Sequence, residues 1–185
     1  MASSCSIIRN DKLLDHQKEI LKSCTLKLEN LKRGNEDIQK SEINTTLDEL
    51  NGLTYTIVFF STEEAEKLLQ MCFFHIPFTS EHLVSKLCHL LTNILTKQQV
   101  ECRSEFLHAC LGYFTRALQI CGTWVTSDIL DTLAVLVADN VGRIEQYWEN
   151  LIGPQGSLLV FVSPTYPDPN ICLSSLKCLQ NFTLR

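Results

Sequence analysis

Several features that would assign a chemistry are missing from this chain of 185 residues. It contains no Gly-rich phosphate-binding loop, no G-x-S-x-G nucleophile elbow and no H-E-x-x-H zinc-protease motif. Its nine cysteines form no C-x-x-C pair. These absences argue against the enzyme classes that such motifs mark, and we expect neither an enzyme activity nor a cofactor.

A long apolar run is also missing. No stretch could cross a bilayer, and the N-terminal MASSCSIIRNDK has no signal-peptide core. A protein that is not secreted keeps its thiols reduced, so cysteines scattered among Leu and Phe are expected to be core thiols. We therefore expect an intracellular protein, in the cytoplasm or the nucleus, without a membrane partner.

An excess of positive charge is missing as well. The formal net charge is −5 and the sequence pI is near 5.5, which argues against direct nucleic-acid binding through phosphates. The charge is uneven, because residues 9–33 carry seven Lys/Arg against four Asp/Glu and residues 34–70 carry two against eight. Such asymmetry is typical of a solvated basic helix next to an acidic one.

What the chain does have is helical patterning along most of its length. Ser61-x-x-Glu64 is a capping-box signal, and Asp168-Pro169 places an N-cap before proline at the first helical position. The apolar TYTIVFF (54–60) has strand propensity but no partner strand, so it is predicted to be a buried connector or a helix start. The fold class is therefore all-α, with helices predicted over 10–33, 36–50, 62–74, 81–95, 98–110, 111–121, 128–139, 143–152, 156–163 and from 169 to the end.

The first predicted helix carries a short heptad pattern. Leu14, Leu21 and Leu28 fall seven residues apart, but the pattern spans under three heptads. It favours a helix that docks on the domain over one that pairs with a second copy through residues 14–31. A homo-oligomer formed through this segment stays open as the alternative.

One region combines cysteine and histidine, but at spacings that match no compact metal site. Cys72, His75, His82, Cys88 and His89 lie partly within one predicted helix, on which Cys88 should face inward and His89 outward. His108 and Cys110 are two residues apart on a helix and do not face each other. We therefore expect no metal site, and a metal-dependent enzyme is the least favoured alternative.

The most informative pattern is an internal repeat. CHLLTN (88–93) matches LKCLQN (176–181), and LAVLVADN (133–140) lies between them. After the first and the middle segment come an arginine, an apolar helix, a glycine and a second apolar helix. The arginines are Arg103 and Arg143, and the glycines are Gly112 and Gly153.

These units, over residues 80–185, resemble armadillo repeats, with HEAT repeats as a near neighbour. The resemblance implies a right-handed α-solenoid of three-helix units of about forty residues. The third helix of each unit would line a concave groove and bind the backbone of an extended peptide through its Asn. A short basic helix ahead of an acidic array is also similar to meiotic armadillo proteins that bind a heat-shock factor and a DNA-repair tumour suppressor. An oligomerising subunit of a meiotic or DNA-repair recruitment complex is accordingly an alternative function.

The expected organisation has three parts. Residues 1–34 form an N-terminal amphipathic helix, residues 35–79 a linker or first helical unit, and residues 80–185 the armadillo-like repeats. The last unit ends at LQNFTLR with an unfinished apolar edge, whereas solenoids need a capping repeat. We therefore expect the array to be truncated at its C-terminus.

The resemblance places Asn93, Asp139 and Asn181 in the groove. Stepping back four, seven and eleven residues from each follows one helical stripe, and eleven of the twelve stripe positions are polar, Val135 being the exception. The Trp that nuclear-import receptors place one turn before the Asn is absent, so basic import signals are not expected as ligands. The predicted groove residues are His82, Lys86, His89, Asn93, Asp128, Thr132, Asp139, Asn170, Ser174, Lys177 and Asn181.

These patterns predict a non-catalytic adaptor or scaffold that holds a peptide or helix of a partner protein. The alternative for the stripes themselves is that they are only the solvated faces of amphipathic helices. Both interpretations agree with the polar pattern.

Overall fold

A computed structural model gives the structure of the protein and describes residues 2–31, 36–138, 140–154 and 156–183, with side chains from residue 11 onward. Over these residues the chain forms helices and no strand, which confirms the all-α prediction. No helix of this described part is long and apolar enough to cross a membrane. The helices are α1 (Ala2–Glu29), α2 (Glu36–Asn51), α3 (Thr62–His75), α4 (Glu81–Lys97), α5 (Ser104–Ile120), α6 (Thr123–Ala138), α7 (Trp148–Ile152), α8 (Ser157–Phe161) and α9 (Pro169–Thr183), with 3₁₀ turns at Val141–Arg143 and Glu145–Tyr147.

The helices form two rows. Helices α2, α4, α6 and α9 make an inner row in which each helix packs on the next, and α1, α3 and α5 pack on one another in an outer row. The chain alternates between the rows, which defines four units: α1–α2, α3–α4, α5–α6 and α7–α9. One continuous apolar core joins all four.

Contacts between neighbouring units recur about forty residues apart. Arg103 precedes α5 and its Nη2 lies 2.6 Å from Glu63 Oε1 in the first turn of α3. Arg143 precedes α7 and its Nη2 donates to Ser104 Oγ, 3.0 Å away at the start of α5. The repeated arginine therefore ties each outer segment to the beginning of the outer helix one unit earlier.

The connector over residues 54–60 lies between α2 and α3 and is held by one buried side chain. Gln98 is 6% exposed, and its Oε1 accepts hydrogen bonds from the backbone N–H groups of Phe59 (2.9 Å) and Phe60 (3.3 Å). Its Nε2 donates to the carbonyl of Ile57 at 3.0 Å. Three backbone polar groups of the strand-like segment are thus satisfied without a partner strand. Of the two predicted alternatives, a buried connector and a helix start, the structure shows a connector, with Tyr55, Phe59 and Phe60 buried and Val58 exposed.

Two predicted helix starts are confirmed in detail. Ser61 Oγ accepts from the backbone N–H of Glu64 at 3.2 Å, and the Glu64 carboxylate accepts from the Ser61 N–H at 3.0 Å. Asp168 Oδ1 accepts from the backbone N–H of Asn170 at 2.9 Å at the start of α9. Such caps depend on residues within one turn, so the local sequence suffices to place them.

The predicted pair of helices over 98–110 and 111–121 is wrong. A single helix, α5, runs through Gly112, where an added Cβ would meet only the Tyr147 hydroxyl at 3.9 Å. Helix α6 begins at Thr123, ahead of the predicted start at residue 128. The third unit therefore has two helices in place of the three that the armadillo resemblance implies, whereas α7, α8 and α9 supply three helices to the fourth.

The N-terminal helix docks on the rest of the chain. Leu21, Cys24 and Leu28 are buried, and Gln17 Nε2 donates to the carbonyl of Thr54 at 2.9 Å. Helix α1 packs on α2 and α3, so the heptad seam within residues 14–31 is covered by the chain itself. Of the two alternatives for this seam, the structure shows docking.

Candidate functional site

A groove of about 920 Å³ opens beside the C-terminal halves of three inner helices. Each inner helix is followed by an outer segment that returns the chain to the same end, so α4, α6 and α9 run parallel and their last turns meet at one edge. The groove is lined by Leu95 and Thr96 of α4, by Val100, Glu101 and Cys102 of the following loop, by Asp131, Ala134, Val135, Leu136 and Ala138 of α6, by Asn140 and Arg143, and by Lys177, Gln180 and Asn181 of α9.

The floor of the groove is apolar and its rim is charged. Leu95, Val100 and Val135 are half-buried residues of the floor. The rim carries two carboxylates, Glu101 and Asp131, and two cations, Arg143 and Lys177. The groove therefore offers apolar contact area together with charges of both signs.

The charges on the rim are only loosely paired. Lys177 Nζ lies 3.7 Å from Asp131 Oδ1, with 56% and 50% of the two side chains exposed. An exposed ion pair of this length contributes little stability. Arg143 is tied back by Nη1, which donates to Asn140 Oδ1 at 2.9 Å. Lys177 and Asp131 can therefore give up their ion pair and each pair with a charge on a partner, at a small cost in free energy.

Of the predicted groove residues, the structure places Lys177 and Asn181 in this lining. Asn181 Nδ2 donates to the carbonyl of Ala134 at 2.8 Å, so this amide also fixes α9 on α6. Val135, the apolar exception in the predicted stripes, lies on the floor. Asp139 lies outside the described residues.

Two predicted groove residues do not reach solvent. Thr132 is 1% exposed and its hydroxyl donates to the carbonyl of Asp128 at 2.9 Å. Ser174 is 3% exposed and its Oγ lies 3.0 Å from Ser127 Oγ. The prediction that these two side chains face a wet groove is wrong. Both are small polar side chains that lie between packed inner helices.

Two further stripe residues also bridge inner helices. Lys86 Nζ lies 2.5 Å from Asp48 Oδ1 and 2.7 Å from Asn44 Oδ1, which ties α4 to α2. Asp128 Oδ2 accepts from Ser85 Oγ at 2.5 Å, which ties α6 to α4. Much of the polar stripe therefore holds the row together.

The remaining stripe residues lie near the row but outside the groove lining. His82 and His89 are exposed, and Asn93 is half-buried with its Oδ1 accepting from Lys97 Nζ at 2.7 Å. A role of these three residues in binding stays a prediction.

Asn170 belongs to a second, smaller pocket. This pocket of about 360 Å³ also contains the exposed Trp124, and it shares Asp131 and Lys177 with the groove. The groove therefore continues along α9 towards the start of that helix. Binding through Asn170 stays a prediction as well.

Sequence reasoning missed Glu101, Asp131 and Gln180. Glu101 was assigned to a helix over 98–110, whereas residues 98–103 form a loop that opens onto the groove. Asp131 lies one position off the predicted stripe. The charge pair Asp131 and Lys177, 46 residues apart, is the signal that a search for complementary charges one repeat apart could have found.

The groove has little nucleophilic chemistry. Burial raises the pKa of the Cys102 thiol, although Arg143 opposes the shift. Burial raises the pKa of the fully buried Cys110 far more, and that of Cys72 to about 12. A thiol with a raised pKa is a poor nucleophile at neutral pH. Within the described ranges, no three His, Cys, Asp or Glu side chains come together to hold a metal ion.

No family model matches the chain, and no solved structure matches it.

Proposed function

We propose that the protein is a non-catalytic adaptor whose groove binds an extended segment of a partner protein. The observation that carries this proposal is a groove of about 920 Å³ that crosses three helices and joins an apolar floor to a rim of mixed charge. A long open groove of this kind suits a peptide better than a small molecule, whose sites are mostly enclosed.

The mechanism of binding follows from the three kinds of lining residue. Successive side chains of an extended peptide point in opposite directions, so alternate ones can lie on Leu95, Val100 and Val135. The Gln180 amide and Asn181 Oδ1 would bond the peptide backbone, while Asn181 Nδ2 stays on the carbonyl of Ala134. The rim then selects the sequence, with Arg143 and Lys177 favouring acidic side chains and Glu101 and Asp131 favouring basic ones.

We infer that the array is a right-handed solenoid of the armadillo or HEAT kind. Hydrogen bonds that recur about forty residues apart, as for Arg103 and Arg143, support this inference. The two-helix second and third units are closer to a HEAT pair, and the three-helix fourth unit is closer to an armadillo repeat.

A binding experiment tests the groove directly. Peptides selected from a random display library on the wild-type protein are measured by fluorescence polarisation against Val135→Glu, which places a charge on the apolar floor. Ile120→Glu is the matched control, because Ile120 is an exposed apolar residue at the end of α5, away from the groove. We expect the dissociation constant to rise at least about tenfold for Val135→Glu and to stay unchanged for Ile120→Glu. Equal binding by all three proteins, or a selection that enriches no peptide, contradicts the proposal.

A second selection tests the role of the rim. Lys177→Glu reverses one charge beside Asp131 without touching the floor. Peptides enriched on this variant should replace acidic residues by basic ones at the position that contacts residue 177. The same enriched sequences on both proteins would show that the rim does not select.

A further inference from the structure

The smaller pocket beside the groove lies between the N-terminal parts of α6 and α9. It has a volume of about 360 Å³ and is lined by Trp124, Ser127 and Asp131 of α6 and by Leu173 and Lys177 of α9, among others. The three residues of α6 are three and seven positions apart, so they share one face of the helix. We call this cavity the side pocket.

Packed side chains close the floor of the side pocket. Ser127 Oγ lies 3.0 Å from Ser174 Oγ across the gap between the two helices. Ser174 is 3% exposed and Ile171 is 1% exposed. A ligand therefore enters from the solvent side. The volume is at the lower end of the range for ligand pockets, which suits a single side chain better than a helix.

The exposed wall of the side pocket is a tryptophan. Trp124 belongs to the first turn of α6 and is 60% exposed, although tryptophan is highly buried on average. Leu173, which is 55% exposed, lines the same pocket from α9. An indole that lines a cavity offers a ligand apolar area and a π-system, and among the aromatic rings it attracts cations most strongly.

The charges around the side pocket do not balance. Asp131 and Asp168 contribute two negative charges and Lys177 contributes one positive charge. Lys177 Nζ lies 3.7 Å from Asp131 Oδ1, so these two charges largely offset each other. Asp168 Oδ1 accepts from the backbone N–H of Asn170 at 2.9 Å. Among the described residues, no hydrogen bond or ion pair uses the second oxygen of Asp168, Oδ2.

The unbalanced carboxylate lies at the tryptophan end of the side pocket. Helices α6 and α9 run parallel, with Trp124 in the first turn of α6 and Asp168 directly before α9. Lys177 is two turns further along α9 than Asn170, about 10 Å away at 1.5 Å per residue. The end that contains Trp124 therefore carries a net negative charge.

The two helix starts at this end do not make it an anion site. A helix N-terminus attracts anions, but both of these already have a carboxylate. Asp168 Oδ1 accepts from the N–H of Asn170, and Glu81 Oε1 accepts from the N–H of Gly122, directly before α6. A ligand carboxylate or phosphate would be repelled by these groups, whereas a cation would be attracted.

We propose that the side pocket binds an arginine side chain of the partner protein, stacked on Trp124 and paired with Asp168. This inference rests on the proposed peptide groove, because the side pocket shares Asp131 and Lys177 with it and continues it along α9. A guanidinium is planar, so it stacks on an indole while donating two hydrogen bonds to a carboxylate. The ammonium of lysine is a strongly hydrated point charge and lacks this geometry.

Fluorine NMR tests the side pocket without any peptide. Protein labelled with 5-fluorotryptophan gives two resonances, because the chain has two tryptophans, and Trp124→Phe assigns them. N-acetyl-arginine methylamide should shift the Trp124 resonance saturably. The resonance of Trp148 should stay in place, since Trp148 is half-buried in α7 and outside the side pocket. The citrulline analogue, which has the shape of arginine without its charge, should cause no saturable shift. The lysine analogue should bind at least about threefold more weakly than the arginine analogue.

A charge-removing variant tests the role of Asp168. Asp168→Asn keeps a helix cap, because asparagine caps as well as aspartate, and should bind the arginine analogue at least about fivefold more weakly. Glu105→Gln is the matched control, since Glu105 is an exposed acidic residue in the first turn of α5 and outside the side pocket. Its affinity should equal that of the wild type. Circular dichroism melting checks that both variants are folded.

Four results overturn the proposal. They are no saturable shift of the Trp124 resonance with the arginine analogue, an equal shift with the citrulline analogue, equal affinity for the lysine analogue, and unchanged affinity in Asp168→Asn.

A peptide experiment separates this inference from the groove itself. Peptides selected on the wild type should contain an arginine. Its replacement by citrulline should raise the dissociation constant at least about tenfold on the wild type and less than about twofold on Asp168→Asn. If Val135→Glu abolishes binding but the peptides tolerate citrulline, the groove stands and this inference fails. If no peptide is enriched, the groove fails, whereas the fluorine titration decides by itself whether the side pocket binds a guanidinium.

Discussion

The third and fourth units occupy equivalent places in the stack but build their outer layers differently. In the third unit the outer layer is one helix of 17 residues, α5. In the fourth it consists of two helices of five residues, α7 and α8, with Gly153-Pro154 between them. Such short helices are not stable alone, so the fourth unit depends on its packing against α9 and the third unit. The comparison shows that one repeat length accommodates a continuous outer helix and a broken one.

Burial separates the two units as well. Helix α5 buries nine side chains, whereas α7 and α8 bury one each, Leu151 and Leu158. Buried apolar area is the main stabilising term. We therefore expect the outer layer of the fourth unit to open more readily than α5, while the inner helices that line the groove stay in place.

Truncating a phenylalanine in each unit gives the largest expected contrast. Phe114 is fully buried in α5, whereas Phe161 of α8 is half-buried and makes an edge contact with Tyr166 at 5.2 Å between ring centroids. Phe114→Ala should lower the free energy of unfolding by about 3–5 kcal/mol, and Phe161→Ala by about 1–2 kcal/mol. Urea titration followed by circular dichroism measures both. Equal losses would show that the two outer layers are equally well packed.

The loops that precede the two outer layers give the next contrast. Gln98 is followed five residues later by Arg103, and Asn140 is followed three residues later by Arg143, so the two amides hold corresponding places. Gln98 satisfies three backbone groups of the 54–60 connector, whereas Asn140 Nδ2 donates to the carbonyl of Leu136, within its own unit, at 2.9 Å.

Gln98→Leu should therefore lower the free energy of unfolding by about 3 kcal/mol, because buried backbone groups lose their partners. Asn140→Leu should lower it by about 1 kcal/mol. The same urea titration applies, and hydrogen exchange of the Phe59 and Phe60 amides reports the connector directly. Unchanged protection of these two amides in Gln98→Leu would contradict the role of Gln98 in holding the connector.

Sequence reasoning predicted most of the helices and missed the difference between the outer layers. The caps of α3 and α9 were predictable because Ser61 and Asp168 act within one turn. Gly112 and Gly153 were treated alike, although a helix tolerates an isolated glycine at a cost of about 1 kcal/mol. Proline at position 154 is the local signal that only the second glycine ends a helix.

The groove was predictable only in part. Helical spacing placed Lys177 and Asn181 on one face of the last helix, and both line the groove, since periodicity reports which side chains share a face. Helical spacing could not show that Thr132 and Ser174, at other predicted groove positions, are buried against neighbouring helices. Their burial depends on how closely two helices approach each other. Loop residues such as Glu101 have no periodicity to reveal them.

Alanine at the two glycines tests the difference between a continuous and a broken outer helix. A Cβ at Gly153 would overlap the carbonyl oxygen of Glu149 and come within 2.7 Å of its carboxylate, so the backbone must shift. Gly153→Ala should lower the free energy of unfolding by about 2 kcal/mol. Gly112→Ala should raise it by about 0.5–1 kcal/mol, since alanine is the better helix former and the space is open. Thermal and urea unfolding measure the change in stability of both variants. A loss of stability in Gly112→Ala would contradict the prediction, because the open surroundings of Gly112 give no reason for strain in α5.

The smallest contrast concerns two tyrosines that repeat one contact. The Tyr113 hydroxyl donates to the carbonyl of Ile76 at 3.0 Å, and the Tyr147 hydroxyl donates to the carbonyl of His108, also at 3.0 Å. Tyr113 is buried, so Tyr113→Phe leaves a carbonyl without a partner and without water, and the free energy of unfolding should fall by about 1–2 kcal/mol. Tyr147 is half-buried, so water can replace its hydroxyl, and Tyr147→Phe should cost about 0.5 kcal/mol. Phenylalanine keeps the ring contacts in both variants, so the difference between the two losses reports solvent access alone. If Tyr147→Phe loses as much as Tyr113→Phe, the junction between the third and fourth units is as dry as the one between the second and third.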